Sequence, residues 1–163
     1  MAMKVENVMT RNVANCSPDA SLADAAGLMW ENDCGIIPVV DDRRNVVGVV
    51  TDRDICMALA MSNRKASETP VSDVMSRQIF VCSPESDVTE VFGIMKREQI
   101  LRIPIVDNDG KLVGIVSLSD LVQRADDGRG IRKPEVSFEE VVETRKAITE
   151  PVHEARSTRS GKA

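Results

Sequence analysis

The chain has 163 residues, of which 42% are hydrophobic and 29% are charged, and its formal net charge is −5. This length fits one domain or two small halves, and the composition is typical of a soluble globular protein. An acidic balance argues against a broad nucleic-acid surface, which needs clustered Lys and Arg. Aromatic residues make up only 2% of the chain, so stacking surfaces for single-stranded nucleic acid are also not expected.

Neither a membrane segment nor a metal site is indicated. No apolar run approaches the ~18 residues of a membrane helix, and residues 1–4 lack the apolar core of a signal peptide. We therefore expect a cytoplasmic protein that binds no membrane. The single histidine, His153, lies near the C-terminus, and no cysteine pair has the Cys-x-x-Cys spacing of a metal site. We expect the four thiols to pack as small hydrophobes: Cys16, Cys34, Cys56 and Cys82.

An internal duplication organises the chain. Residues 8–55 align with residues 74–121 without a gap, at an offset of 66. Identical pairs include Met9/Met75, Pro18/Pro84, Gly48/Gly114 and Asp54/Asp120. We assign a first repeat to residues 5–62, a linker to 63–73, and a second repeat to 74–125. Residues 126–163 remain for a linker, a short helix and a tail.

Each repeat is predicted to have the order β-α-β-β-α. In the first repeat, an extended piece at 12–15 precedes Ser17-Pro18, because a residue before proline disfavours helix. A helix then carries an apolar stripe at i, i+3, i+4 and i+7: Leu22, Ala25, Ala26 and Met29. Two strands, 36–40 and 46–50, are joined by a polar turn, and a helix over 53–61 closes the unit.

The second repeat follows the same order. An extended piece at 78–81 precedes a helix with a matching apolar stripe: Val88, Val91, Phe92 and Met95. Strands at 103–106 and 112–116 and a helix at 119–125 follow. A unit of about 50 residues buries too little apolar surface to be secure alone. We therefore predict an α+β fold in which the repeats pack sheet to sheet about a pseudo-two-fold axis.

The C-terminal region is predicted to hold one short helix. Residues 126–135 are polar and Gly-rich, as in a linker. Ser137 and Glu140 have capping-box spacing, and the helix that follows is predicted to carry four apolar residues on one face before Pro151 ends it: Phe138, Val141, Val142 and Ile148. Such a short helix is unstable alone, so we expect it to dock on the module, on a second copy or on a partner. From His153 onward the composition is typical of disorder.

One motif recurs at the start of the closing helix in both repeats. Thr51-x-x-Asp54 and Ser117-x-x-Asp120 each follow a β-branched run. The hydroxyl can cap helix N–H groups, a helix start favours phosphate, and the carboxylate can accept hydrogen bonds from a ribose diol. Plain helix capping is the alternative for a single copy, whereas duplication at fixed spacing favours a binding role.

In its ordered motifs the chain resembles a tandem pair of cystathionine-β-synthase (CBS) domains, or Bateman module. The resemblance covers roughly residues 5–125. It rests on the Val-Met-Thr/Ser openings, the Ser-Pro pairs, the Ile-Pro-Val/Ile-Val-Asp strands and the Gly-Val/Ile-Val-Thr/Ser-x-x-Asp motifs, each present twice. It implies a regulatory module that binds AMP, ADP, ATP, S-adenosylmethionine or NAD between its repeats.

The resemblance also implies two clefts, each with residues from both repeats. In one, the ribose-binding Asp54 and its neighbours face the opposite repeat: Thr51, Arg53, Asp54, Gln78, Ile79, Ile100, Leu101, Arg102, Ile103 and Pro104. In the other, Asp120 has the corresponding place: Ser117, Ser119, Asp120, Asn12, Val13, Cys34, Gly35, Ile36, Ile37 and Pro38. Because Arg53 and Arg102 belong to the Asp54 cleft, we expect that cleft to take the more phosphorylated ligand. Solvated surface charge, or pairing with nearby acids, is the alternative for both arginines.

These features predict a regulatory sensor of adenine nucleotides, not an enzyme, because no Ser/His/Asp set is present and no catalytic cofactor is implied. Cys34 has no histidine to activate it and is expected to serve packing. We expect a homodimer that signals to an unidentified protein effector. Trp30 is either partly buried at a helix end or an anchor in a subunit contact. The alternative function is an interaction scaffold whose clefts bind no physiological ligand.

Overall fold

The computed structural model describes residues 3–125 and 135–150, and it has the expected α+β architecture. The helices and strands run in the order α1 (Leu22–Glu31), β1 (Ile36–Val40), β2 (Val46–Thr51), α2 (Asp52–Ser62), α3 (Val88–Glu98), β3 (Arg102–Val106), β4 (Leu112–Ser117), α4 (Leu118–Val122) and α5 (Phe138–Thr149). Short 3₁₀ turns lie at Val5–Asn7, Ala66–Glu68 and Val71–Asp73. The fold class and the C-terminal helix are therefore confirmed.

Each repeat contributes one two-stranded antiparallel sheet, β1–β2 or β3–β4. The registers are equivalent: Val39 is opposite Gly48, Ile105 is opposite Gly114, and both ladders are irregular at the next residue. The predicted leading strand of each repeat is wrong. Only Cys16 and Cys82 form single parallel bridges, to Val39 and Ile105. The pairing stops there because the Ser-Pro sequence that follows each cysteine supplies a proline without an N–H donor.

The opening segment of each repeat packs into the core of the other. Val5 and Met9 are buried with the hydrophobic residues of the second repeat, whereas Val71 and Met75 are buried with those of the first. Each segment then pairs with the second strand of that same sheet, Thr10 with Ile115 and Ser76 with Val49. The two crossing segments are equivalent, as a pseudo-two-fold arrangement requires.

Two glycines permit this close approach. A Cβ at Gly48 would lie 2.6 Å from Met75 Sδ and 3.0 Å from the Ser76 carbonyl oxygen. A Cβ at Gly114 would lie 2.7 Å from Met9 Sδ and 3.1 Å from the Thr10 carbonyl oxygen. The identical pair Gly48/Gly114 is thus explained by contact between the repeats.

The helical stripes agree with prediction except at one position. Leu22, Ala25 and Met29 of α1 are buried, but Ala26 is exposed. In α3 all four predicted residues are buried, and Ile94 is buried with them. The α4 helix ends at Val122, three residues earlier than expected.

The α5 helix docks on the second repeat of its own chain, against α3 and α4. Half of the predicted capping box forms, because the Ser137 hydroxyl accepts a hydrogen bond from the Glu140 N–H, and among the described residues the Glu140 side chain makes no reciprocal bond to the Ser137 N–H. The predicted apolar face is partly wrong, since Phe138 and Val142 are 48% and 50% exposed. The buried residues are Val141 and Thr144. Pro151, the linker at 126–134 and the tail from His153 lie outside the described residues.

The remaining expectations concern Trp30, the cysteines and membrane helices. Trp30 is 88% exposed, so partial burial at the helix end is wrong. Burial raises the pKa of the Cys16 and Cys82 thiols to about 11, whereas Cys34 is half-buried and Cys56 is exposed. Among the described residues no helix is long and apolar enough to cross a membrane.

Candidate functional site

Both repeated Thr/Ser-x-x-Asp motifs form capping boxes. In α2, Asp54 N–H donates to Thr51 Oγ1 at 3.1 Å, and Thr51 N–H donates to Asp54 Oδ2 at 2.9 Å. In α4, Asp120 N–H donates to Ser117 Oγ at 3.1 Å, and Ser117 N–H donates to Asp120 Oδ2 at 2.7 Å. Plain capping therefore accounts for one carboxylate oxygen in each motif, and within residues 3–125 and 135–150 no hydrogen bond uses Oδ1.

The two carboxylates differ in how much of their accepting capacity is used. The Ser117 hydroxyl also donates to Asp120 Oδ2 at 2.7 Å. Among residues 3–125 and 135–150, Thr51 makes no such second bond to Asp54. Because a carboxylate has about four lone-pair sites, Asp54 has more acceptor capacity left than Asp120.

The start of α2 offers no free backbone donor to a phosphate. Besides the two N–H groups of the capping box, Asp52 N–H donates to the Gly35 carbonyl at 3.1 Å, and Arg53 N–H donates to Asp52 Oδ1 at 2.7 Å. These are the four donors that a helix N-terminus leaves unpaired. An anion at this point would therefore be bound by side chains, and the expected role of the helix start does not hold for α2.

The Asp54 side of the molecule contains a cavity of about 540 Å³ between the repeats. This is in the range of small-molecule sites, which are roughly 300–1,000 Å³. Nine of the ten residues predicted for the Asp54 cleft line it: Thr51, Arg53, Asp54, Gln78, Ile79, Ile100, Leu101, Arg102 and Pro104. The tenth, Ile103, is fully buried in the core of the second repeat.

Several lining residues were missed by sequence reasoning. Val49 and Ser76 enter because they pair across the repeats, and Phe80 follows Gln78 and Ile79 on the crossing segment. Asp52, Glu98 and Gln99 are chain neighbours of predicted residues and were available from the sequence. Ile148 of α5 also lines the cavity, and no sequence signal linked that helix to this cleft.

The residues predicted for the Asp120 cleft lie in several places. Gly35 and Ile36 line the Asp54 cavity instead, because they lie beside Asp52 and Thr51 at the open end of the β1–β2 sheet. Asn12 and Val13 line a separate cavity with Arg11, Arg44 and Lys111. Ser119 lines a third cavity beside α5.

Five members of that set remain. Ile37 and Pro38 are buried in β1, and Cys34 lines a groove between α1 and α2. Ser117 and Asp120 are engaged in the α4 capping box. The cavity at Asp54 is therefore the one that gathers a predicted set of residues.

The wall of the Asp54 cavity has an aliphatic part and a part with charged side chains. Ile79, Ile100 and Leu101 supply aliphatic surface, and all three are half-buried. Arg53 is exposed and Arg102 is half-buried, and within the described ranges neither guanidinium forms an ion pair. Pairing with a nearby acid therefore does not account for these arginines in the part of the chain that is described.

The arrangement can bind a ligand with a flat apolar part, a diol and an anionic group. Aliphatic side chains can enclose the flat part, Asp54 can accept from hydroxyls, and the arginines can bind the anion. Residues 3–125 and 135–150 contain no cluster of His, Cys, Asp and Glu that could hold a metal ion. Buried thiols with a raised pKa, such as Cys16 and Cys82, are poor nucleophiles.

Comparison with known proteins identifies the family. The model of the CBS domain matches residues 5–61 and 71–127. The CBS domain-containing protein YhcV of Bacillus subtilis is 36% identical over 139 residues, which are 84% of this chain and 97% of that protein. The CBS domain pair of protein MJ0100, solved with 5′-methylthioadenosine and S-adenosyl-L-methionine, is 26% identical with a TM-score of 0.67, covering 74% of this chain and 98% of that one.

A second solved structure, CBSX2 in complex with AMP, is 28% identical with a TM-score of 0.65, covering 75% of this chain and 95% of that one. Both family-model matches fall on the internal repeats, and each includes one capped Thr/Ser-x-x-Asp motif. The chain therefore belongs to the CBS domain family and carries two CBS domains in tandem.

Proposed function

We propose that this protein is a regulatory module that binds an adenosine-containing ligand, such as AMP, ADP, ATP, S-adenosylmethionine or NAD, in the Asp54 cavity. The observation that carries the proposal is the cavity of about 540 Å³ between the repeats, lined by nine residues of one predicted set. The AMP complex of CBSX2 and the adenosyl complex of MJ0100 support the ligand class.

Each group at the cavity has a role in this proposal. The adenine lies against Ile79, Ile100 and Leu101, and the ribose hydroxyls donate to the free oxygen of Asp54. Hydrogen bonds to a carboxylate are about twice as strong as neutral ones. Arg53 and Arg102 bind the phosphate or carboxylate of the ligand, because the backbone donors of α2 are already used.

The direct test measures ligand binding to the wild-type protein and to two matched variants. At 100 times the dissociation constant, a ligand stabilises by about 2.7 kcal/mol, which raises the unfolding temperature of a chain this size by roughly 5–10 °C. At the same ligand concentration, Asp54→Ala is expected to reduce this rise to about a third or less for AMP, ATP and S-adenosylmethionine.

Asp24→Ala is the control, because Ser21 and Asp24 form the same capping box at the start of α1, and Asp24 does not line the Asp54 cavity. Both variants lose a helix cap, so only Asp54→Ala is expected to lose binding. The absence of any shift at millimolar ligand in the wild type would instead favour the interaction scaffold.

We further propose that the module is a non-catalytic homodimer whose ligand-dependent shape is recognised by a protein effector. In the first repeat, α1 and α2 expose Trp30 and Met61, which are 88% and 80% accessible. The equivalent helices of the second repeat are in contact with α5. Trp30→Lys places the residue of the second repeat, Lys96, at this position, and it is expected to weaken self-association in sedimentation experiments. An unchanged assembly would exclude this surface.

A further inference from the structure

The C-terminal helix α5 reaches the Asp54 cavity. Ile148, in the last turn of α5, lines the cavity and is half-buried. Ile100 and Leu101, two of the residues proposed to hold the adenine, line the same cavity. The cavity wall is thus formed by three parts of the chain, which are the first repeat, the second repeat and α5.

A cavity residue also holds the end of α5. The Gln99 side-chain amide donates to the carbonyl oxygens of Ala147 at 3.0 Å and Glu150 at 3.2 Å. The last carbonyls of a helix have no partner within the helix, so Gln99 acts as the C-terminal cap of α5. Gln99 itself has a left-handed backbone, with φ of 55°, at the end of α3, and it lines the same cavity.

The α5 helix packs mainly on α3 and also contacts α4. Val141 and Thr144 of the helix are buried, Glu140, Ala147 and Ile148 are half-buried, and Val136 just before the helix is also buried. A helix of this length has marginal stability in isolation. The helix therefore depends on docking for its stability, and two of the residues at its attachment, Gln99 and Ile148, belong to the cavity wall.

We infer that occupancy of the Asp54 cavity and docking of α5 are coupled, so that a bound adenosine ligand holds α5 on the second repeat. The inference rests on the proposed function. The cavity exists with α5 in place, so a ligand need not displace the helix. A ligand that covers Ile148 makes this contact only when α5 is docked. Because the contact stabilises the docked state and not the undocked one, it shifts the equilibrium towards docking. A partner that recognises docked α5 can thus distinguish the ligand-bound protein from the free protein.

Hydrogen exchange of the full-length protein tests the coupling. With AMP or ATP at saturation, amides of 138–150 in the wild type are expected to exchange about fivefold more slowly. A fivefold change corresponds to about 1 kcal/mol, which is the free energy expected when the ligand buries roughly 40 Å² of apolar surface. Ile148→Ala is expected to remove this extra protection and to weaken ligand affinity by the same factor, because coupling between two sites is reciprocal.

Two further variants control the test. Val142→Ala changes a half-exposed residue of the same helix that does not line the cavity, and it should leave affinity and protection unchanged. Ile148→Met keeps the apolar contact and should restore both.

The possible results are distinguishable. Failure of the wild type to bind either nucleotide would overturn both the proposed function and the coupling. If the wild type binds a nucleotide but exchange in α5 is unchanged or faster, the coupling alone would be overturned. Equal affinity of Ile148→Ala and Val142→Ala for the nucleotide would have the same consequence. If Ile148→Ala does not fold, the exchange of the wild type still decides.

Discussion

The start of α2 and the start of α4 are equivalent in sequence, yet only one of them borders the interrepeat cavity described above. Both carry a hydroxyl residue, an Asp three residues later and a complete capping box. At α2 the neighbours of the motif are Asp52 and Arg53, which line the cavity. At α4 they are Leu118, which is buried, and Ser119. The difference lies in what the intervening residues and the opposite repeat contribute.

The start of α1 carries a third copy of this capping arrangement. Ser21 and Asp24 form the same capping box at the start of α1, with an O–H to carboxylate distance of 2.7 Å. The hydrogen bonds to Ser21 hold the pKa of Asp24 below its usual value, and neither residue lines the Asp54 cavity. The motif therefore specifies a helix start, and a binding role requires an apolar wall and cations from elsewhere.

The largest expected effect separates Asp54 from Asp120. Loss of a charge-assisted pair with ribose should cost about 2–4 kcal/mol, so Asp54→Ala should weaken AMP binding roughly 30- to 700-fold. Asp120→Ala removes an equivalent helix cap and should change AMP affinity less than about threefold. Isothermal titration calorimetry measures both. Equal losses in the two variants would mean that the second motif also binds ligand.

The second comparison uses the two glycines at the crossing segments. Alanine at Gly48 or Gly114 should cost about 1–3 kcal/mol of stability, because overpacking displaces a methionine and the adjoining backbone. The Gly48 crossing carries Ser76 and leads to Gln78, which line the cavity, whereas the Gly114 crossing carries Thr10, which does not. Urea unfolding should therefore show similar losses, and only Gly48→Ala should also weaken AMP binding. An equal effect of both on binding would indicate a general loss of fold.

Much of the fold could be predicted because the duplication showed the pattern twice. The strands were predicted to within one residue at each end, since β-branched runs bounded by turns leave little choice. The exchange of opening segments could not be predicted, because Val8-Met9 looks the same whether it packs on its own repeat or on the other. Ala26 was assigned to the core from its i, i+4 spacing to Leu22, although it is exposed.

The candidate site could also be predicted only in part. Residues near a recurring motif, such as Thr51 and Asp54, could be identified together with the strand entry at Arg102. Gly35 and Ile36 were assigned to the wrong side because both sheet ends open near the interface. Ile148 depends on how a separate helix docks, and only the packing of α5 shows it.

The third comparison concerns Arg53 and its counterpart Ser119. Arg53→Ala should weaken ATP binding about fivefold and AMP binding less, because an exposed cation contributes roughly 1 kcal/mol to a nearby anion. The difference should shrink at high salt, which screens exposed charges. Arg43→Ala, an exposed turn variant outside this cavity, is the control in the same titrations. Equal losses for ATP and AMP would show that Arg53 does not contact the additional phosphates.

The smallest expected effect tests a property that the repeats share. Burial raises the pKa of both Cys16 and Cys82 from 9.0 to about 11. In the unfolded chain each thiol loses its proton nearer pH 9, so between pH 9 and 11 the unfolded state binds fewer protons and stability falls as pH rises. Below pH 9 the thiols contribute no pH dependence.

Subtracting the pH profile of a Cys16→Ala/Cys82→Ala variant from that of the wild type isolates this loss from the titration of lysines. The exposed Cys56 supplies the control, since Cys56→Ala should leave the profile unchanged. At pH 8, iodoacetamide should modify Cys56 first, and Cys16 and Cys82 slowly and at similar rates. Unequal rates for those two would show that one repeat opens more readily than the other, so the asymmetry of the molecule would extend from the cleft to the core.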